Sequence, residues 1–196
     1  MKVNEIFYSL QGEGYYSGTP AVFVRFSGCN LRCPFCDTQH EHGREMSEAE
    51  IVTEVAKYPA RHVVVTGGEP ALQLTESLVD ALHAAGKYVA VETNGTHPLP
   101  ENVDWVTLSP KSAFVDGAEV VLTRADEIKV IYDGIHDPER QLSTRNSQLS
   151  TLRFLQPCDT GDAARNRQIT AATVEYIKQH PEWRLSLQIH KILNID

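Results

Sequence analysis

Short Val-rich runs recur along this chain with helix-like stretches between them, and that alternation limits the folds open to it. "AVFVRF" (21–26), "HVVVTG" (62–67) and "YVAVETNG" (88–95) have the branched side chains and the Gly or polar boundaries of strands. "DWVTLSP" (104–110), "DEIKVIY" (126–132), "TLRFLQP" (151–157) and "RLSLQIH" (184–190) continue the series. Between them, "SEAEIVTEVAKY" opens on Ser47 with Glu50 three residues later, a capping-box pattern. "LQLTESLVDALHAAGK" has apolar positions at helical spacing and Gly86 where a helix would stop. "ITAATVEYIKQH" reads as a third helix, and 117–125 and 137–149 as less regular ones.

Strands alternating with helices favour βαβ units and a parallel α/β sheet. The uninterrupted "VVV" agrees, because parallel strands are covered on both faces. A doubly wound sheet and an incomplete barrel both fit. A complete eightfold barrel takes about 250 residues, more than the 196 present. No repeat or linker divides the chain, so one domain over 1–196 is expected. Ligand sites in such folds gather at the carboxyl ends of strands. "SGCNLRC", "TGGEP", "ETNG", "SPK" and "QPCD" occupy five of those ends and converge on one mouth.

A formal charge of −8 argues against non-specific nucleic-acid binding, which needs excess Lys and Arg. No apolar run approaches the roughly 20 residues of a membrane span, and "MKVNEIFYSLQGEG" lacks the regions of a signal peptide. A cytoplasmic protein without membrane or nucleic-acid partners is expected. In that reducing compartment, clustered cysteines point to metal or redox chemistry before disulfides.

"FSGCNLRCPFCDTQH" places Cys29, Cys33 and Cys36 in a C-x3-C-x2-C pattern, with Cys158 far away. Thiolates suit zinc, copper(I) and iron–sulfur clusters. A structural zinc site wants four protein ligands, and His40, His42 or Cys158 offers a fourth. A cluster held by three cysteines instead leaves one iron open for chemistry. Spacing alone leaves zinc and iron–sulfur both standing.

The surroundings favour the cluster. C-x3-C-x2-C with Phe35 before the last cysteine resembles the cluster loop of radical S-adenosylmethionine (SAM) enzymes, and "TGGEP" (66–70) resembles their glycine-rich segment. "FYSLQGEG" (7–14), "CDT" (36–38), "ETNG" (92–95), "SPK" (109–111), "LQP" (155–157) and the final "LSLQIHKILNI" resemble, within that superfamily, the 7-carboxy-7-deazaguanine synthase family. Matches run in order from Ile6 to the last residue and are weakest over 133–150.

The resemblance implies a partial TIM-like barrel of parallel strands with outer helices, and a lyase acting on 6-carboxy-5,6,7,8-tetrahydropterin. Its product is 7-carboxy-7-deazaguanine, formed with loss of ammonia on the pathway to queuosine and other deazapurines. The cofactors implied are one 4Fe-4S cluster, SAM and Mg2+. The partners implied are an electron donor such as flavodoxin or ferredoxin and a second copy in a homodimer. In the family a cofactor-derived radical takes hydrogen from the substrate, and the ring contracts. By match, Cys29, Cys33 and Cys36 hold the cluster and Thr38 ligates magnesium. Phe35, Cys36, Asp37, Gly68, Ser109, Pro110 and Lys111 border SAM, as does the strand end formed by Gln156, Pro157, Cys158 and Asp159. Substrate contacts map to Leu10, Gln11, Gly12, Arg25 and Thr66, and to the chain end at Asp196; Glu13 sits beside them as an acceptor for the pterin's amino and ring N–H donors.

Bland readings stand beside several of these. Thr38 fits an ordinary turn. Arg25, opposite in facing to Val24 and Phe26, suits carboxylate recognition or a structural ion pair. Period two along 184–190 puts Ser186, Gln188 and His190 on the site face and Leu185, Leu187 and Ile189 on the other. His190 is then a substrate contact or a structural histidine. Glu92 and Asn94 share a strand face, Lys111 fits a solvated lysine, the Cys158 thiol fits a packed one, and His40 and His42 read as loop residues. "DEIK" (126–129) reads as ordinary charge pairing. The competing functions are a radical SAM activase acting on a partner protein and a zinc-stabilised binding module without catalysis.

Overall fold

The computed structural model describes residues 1–142 and 152–195. Nine strands form one sheet in the order β3-β1-β2-β4-β5-β6-β7-β8-β9. β1 (Lys2–Leu10) runs antiparallel to both β2 (Pro20–Phe26) and the two-residue β3 (Arg44–Glu45). From β2 the order continues through β4 (His62–Gly67), β5 (Tyr88–Thr93), β6 (Trp105–Leu108), β7 (Glu127–Tyr132), β8 (Leu152–Pro157) and β9 (Trp183–Leu185), each neighbour parallel to the last. The two edges do not pair among the described residues, so the curved sheet is an open, partial barrel.

Strand periodicity explains which residues meet the helices. Val22, Val24 and Phe26 of β2, Val63 and Val65 of β4, and Val89 and Val91 of β5 share one core cluster with the helices' apolar stripes. Those stripes are Ile51 and Val55 of α1 (Glu48–Val55) and Leu78, Val79 and Leu82 of α2 (Glu76–Ala84). Truncating one of the fully buried leucines to alanine costs about 3 kcal/mol. The intervening positions point inward: Ala21, Phe23 and Val64 pack with Phe7 at a small apolar patch. Farther along the same face the inward positions turn polar, which a water-filled site requires.

The helix ends follow the local chemistry. Ser47 and Glu50 form the reciprocal capping box at α1. Thr75 caps α2, and Gly86 takes a positive φ of 76° just beyond its end. α3 (Pro138–Gln141) is one turn, capped by Asp137. α4 (Ala163–Gln179) starts at Asp162 and buries Ile169 and Thr173. α5 (Ile189–Leu193) closes the described chain.

Four expectations change. β1 was not expected, although Phe7 and Ile6 hold it to β2. Residues 117–125 contain no helix; they cross the surface as a loop in which Ala118, Leu122 and Ala125 are buried. The strand expected over 184–190 spans only Trp183–Leu185, and His190 lies in α5. Of the helix expected over 137–149, only Pro138–Gln141 is seen, and 143–149 lie outside the described residues.

Candidate active site

A cavity of about 680 Å³ fills the inside of the sheet. One set of its wall residues comes from the strand ends, as the sequence suggested. These are Arg25 of β2, Thr66 and Gly68 at the end of β4, Ser109 and Lys111 after β6, and Gln156 through Asp159 at the end of β8. The loop after β2 brings Cys29, Cys33, Phe35, Cys36, Asp37 and Thr38 to the same space, and α5 brings His190. Pro110 is buried off this wall, and Asp196 lies outside the described residues.

A second set arrives from the opposite end. β1 runs against the other strands, so the turn joining it to β2 enters the barrel from the side of the strands' amino ends. That turn closes through hydrogen bonds from Gln11 N to Thr19 O (2.8 Å) and from Gly18 N to Gln11 O (2.7 Å). Leu10, Gln11, Gly12 and Glu13 thereby form the cavity's floor. Below them Tyr15 stacks on Trp105 and Tyr16 packs on His62, Tyr88 and Trp105, plugging the barrel's far end.

The floor is a network of charges. Lys129 of β7 donates to Glu13 Oε2, and its ammonium lies 4.0 Å from Glu92. Gln156 Nε2 donates to Glu13 Oε1 (3.0 Å), while its own Oε1 accepts from Ser186 Oγ (2.8 Å). Ser186 Oγ in turn accepts from Gly14 N (3.1 Å). Glu92 accepts from Gln11 Nε2 (3.0 Å) and Thr66 Oγ1 (3.1 Å). Burial pushes the Glu13 carboxyl up, but the Lys129 charge and hydrogen bonds outweigh it and hold the group at about 2. For Lys129 burial favours the neutral amine, and the charges of Glu13 and Glu92 override it, so its pKa is raised. Lys129 was read from the sequence as ordinary charge pairing. The available signal was period two: Glu127, Lys129 and Ile131 alternate with the buried Ile128 and Val130 that meet the helices.

The cysteine loop rests on the glycine-rich segment. Gly68 lies so close to the loop that a Cβ would stand 1.8 Å from the Gly28 carbonyl oxygen. Gly68 N donates to Phe26 O (3.0 Å) and Glu69 N to Gly28 O (2.9 Å). Glu69, fully buried, accepts from Thr93 Oγ1 (2.6 Å), Asn94 N (2.8 Å) and Ala71 N (3.0 Å). Asn94 Nδ2 donates to Asn30 Oδ1 (3.1 Å), tying the end of β5 to the loop. "TGGEP" and "ETNG" thus form one frame beneath the cysteines.

All four cysteines are free, with Cys158 buried. Burial pushes the Cys29 and Cys33 thiols up; at Cys33 the Lys111 ammonium opposes it. Lys111 itself is pushed down to about 8, chiefly by withdrawal from solvent. Thiols so placed ionise when a metal supplies positive charge. Among the described residues no three His, Cys, Asp or Glu side chains converge on a point for a single metal ion. Thiolates that each hold a separate iron of a cluster need not converge, and three soft donors on one wall suit such a group.

At the rim, Arg25 donates from Nε to Glu5 Oε1 (2.7 Å) and from Nη1 toward Thr38 Oγ1 (3.5 Å), over the Phe7 ring. Arg25 thus has an ion-pair partner in Glu5 and lines the cavity. Lys191 of α5 reaches Asp37 Oδ2 and Asp159 Oδ2, each at 2.8 Å, joining the cysteine loop to the end of β8. His190 packs on Gly12, where a Cβ would stand 2.1 Å from Nδ1.

The radical SAM superfamily model matches residues 23–142. A 7-carboxy-7-deazaguanine synthase of Bacteroides thetaiotaomicron is 55% identical over 194 residues, covering 99% of this chain and 98% of the relative. The chain belongs to that family. A second synthase, of Burkholderia multivorans, is 43% identical, with 98% of each chain covered. The crystal structure of QueE from Escherichia coli superposes with a TM-score of 0.73 at 30% identity, covering 95% of this chain and 93% of that one. Streptococcus suis SuiB, at 13% identity and a TM-score of 0.52, shares the fold. As a member of the 7-carboxy-7-deazaguanine synthase family the chain is a radical SAM enzyme, and membership carries a 4Fe-4S cluster and SAM as its cofactors. Among the described residues no helix is long and apolar enough to cross a membrane.

Proposed function

We propose that this enzyme converts 6-carboxy-5,6,7,8-tetrahydropterin to 7-carboxy-7-deazaguanine with loss of ammonia, as a carbon–nitrogen lyase of deazapurine and queuosine biosynthesis. The observation that carries the reading is the joining, in one cavity, of three free cysteines, a guanidinium and an acidic floor. A pterin carboxylate suits Arg25, and the pterin's N–H donors suit the ionised Glu13 and the Glu92 side chain beside it.

Cys29, Cys33 and Cys36 would hold the cluster. When bound, the cluster and SAM supply a 5′-deoxyadenosyl radical that takes hydrogen from the substrate. Phe35, Asp37, Gly68, Ser109, Lys111 and Gln156 to Asp159 would border SAM, with Pro110 behind them. Leu10, Gln11, Gly12, Thr66 and His190 would seat the pterin from the floor and sides. Asp196 joins them through the resemblance alone. Thr38 would ligate Mg2+ beside the substrate carboxylate, a hard oxygen donor for a hard cation.

The same resemblance supports a single domain over 1–196, a homodimer in the cytoplasm, and flavodoxin or ferredoxin as reductant. An activase or a zinc module is not favoured, since full-length relatives carry the synthase name. The test is anaerobic reconstitution with iron and sulfide, then reduction with SAM and 6-carboxytetrahydropterin, reading products by mass spectrometry. Formation of 7-carboxy-7-deazaguanine supports the proposal. 5′-Deoxyadenosine without that product leaves the radical chemistry and removes the substrate.

A further inference from the structure

Two carboxylates face the cavity from opposite sides of one buried lysine. Lys129 is 7% exposed, Glu13 13% and Glu92 23%. Nothing in the proposed chemistry uses the lysine directly, and a strand interior is a costly place for an ammonium. We propose that Lys129 is a positioning residue that keeps Glu13 ionised and holds both Glu13 and Glu92 aimed into the cavity, so that the floor accepts only ligands presenting N–H donors. The inference deepens the proposed function and rests on its placing the pterin on that floor.

The geometry gives the lysine this role. Glu13 is fixed from two directions: Gln156 holds Oε1 and Lys129 holds Oε2. A flipped Gln156 would set its carbonyl oxygen against the Glu13 carboxylate, acceptor against acceptor. Glu92 has Gln11 on one oxygen and Thr66 on the other, with the Lys129 ammonium alongside. An ionised carboxylate is acceptor-only, whereas a protonated one also offers a donor. One proton on Glu13 would therefore change what the floor recognises.

The groups around Glu13 make that proton depend on Lys129. Glu127 of β7 and Glu92 of β5 contribute negative charge to the same interior. His190 of α5 and Lys111 after β6 contribute positive charge from farther off. His62 faces Glu92 from β4 but burial holds it toward the neutral form. Without Lys129 the Glu13 carboxyl keeps the burial that pushes it up and loses the near cation that opposes it, leaving only distant ones, so it takes up a proton near neutrality. Its ionisation then returns as the pH rises.

Infrared titration of the carboxyl groups, with Lys129→Met and Lys129→Arg compared to wild type, tests the device without any substrate. The expected result is a protonated-carboxyl band near pH 7 in Lys129→Met, absent from wild type and Lys129→Arg and lost again in Lys129→Met/Glu13→Gln. Pterin binding, measured in parallel on the reconstituted enzyme, is expected to weaken at least tenfold at pH 7 in Lys129→Met and to recover toward pH 9. It stays nearly flat with pH in wild type and Lys129→Arg. No new carboxyl band, or the same band in Lys129→Arg, overturns the inference. So does a binding loss that is equal at every pH, which marks a merely structural lysine. If wild type binds no pterin, the substrate reading fails while the infrared result still decides the role of Lys129. Should Lys129→Met not fold, Lys129→Gln, uncharged and of similar length, carries the same expectations.

Discussion

Gly68 and Gly28 touch backbone to backbone: a Cβ on Gly68 would stand 1.8 Å from the Gly28 carbonyl oxygen. Gly68, which the family resemblance places beside the cofactor, lines the cavity and also lies directly against the chain itself. Gly68→Ala must push the cysteine loop away, because a main-chain carbonyl cannot rotate aside as a side chain does. We expect a loss of about 3 kcal/mol in urea unfolding of the apo-protein, and less iron retained after reconstitution. Wild-type iron content in a folded Gly68→Ala protein would show that the loop does not need this seat.

Arg25 sits at the rim, between Glu5 and Thr38. Its partner Glu5 is half exposed, and such pairs contribute under about 1 kcal/mol. Arg25→Ala should therefore unfold close to wild type, keep its cluster and cleave SAM, while its use of the pterin falls by about 100-fold through loss of a charge-assisted contact. Steady-state kinetics beside 5′-deoxyadenosine yield check this. Unaltered pterin kinetics would return Arg25 to a structural ion pair.

Glu69 is expected to matter through stability. Its two oxygens accept from Thr93, Asn94 and Ala71, so an amide nitrogen at either position meets a donor. Glu69→Gln leaves a buried N–H or O–H unpaired, at a cost of about 2 kcal/mol. A lower urea midpoint is the expected readout, and an unchanged midpoint contradicts it.

The fold carries an acid-sensitive element in Glu13. Folded, it is held at about 2 against an ordinary 4.5, so the unfolded chain binds its proton first as pH falls. The stabilisation is complete above 4.5 and is lost progressively toward 2. Glu69 and Glu127, raised by burial, act with the opposite sign. Melting temperatures of wild type should thus fall more steeply than those of Glu13→Gln between those pH values. Parallel slopes would remove Glu13 from the acid limb.

Much of this was legible in the sequence, and for identifiable reasons. Val63 to Val65 and the capping pair Ser47 and Glu50 are local signals, and they produced β4 and α1 as expected. The strand-end motifs converge because parallel strands leave no other place for them. β1 was missed because "NEIFYSL" crosses a register shift between Val3 and Glu5 and is only partly buried, which blurs period two. Lys129 was missed because a lysine's partners are set by topology: Glu13 lies 116 residues away. The role of Asn94 was likewise hidden until the end of β5 was seen beside Asn30. His190 reaches the cavity although its strand stops at Leu185, since the chain turns into α5 against Gly12.

One cavity is expected to hold cluster, cofactor and pterin together. Anomalous diffraction at the iron edge, from anaerobic crystals of the reconstituted enzyme with SAM and 6-carboxytetrahydropterin, measures this directly. The account requires iron at Cys29, Cys33 and Cys36, and pterin density between Arg25 and the carboxylates of Glu13 and Glu92. Iron bound through Cys158 or His40, or pterin outside this cavity, would contradict it.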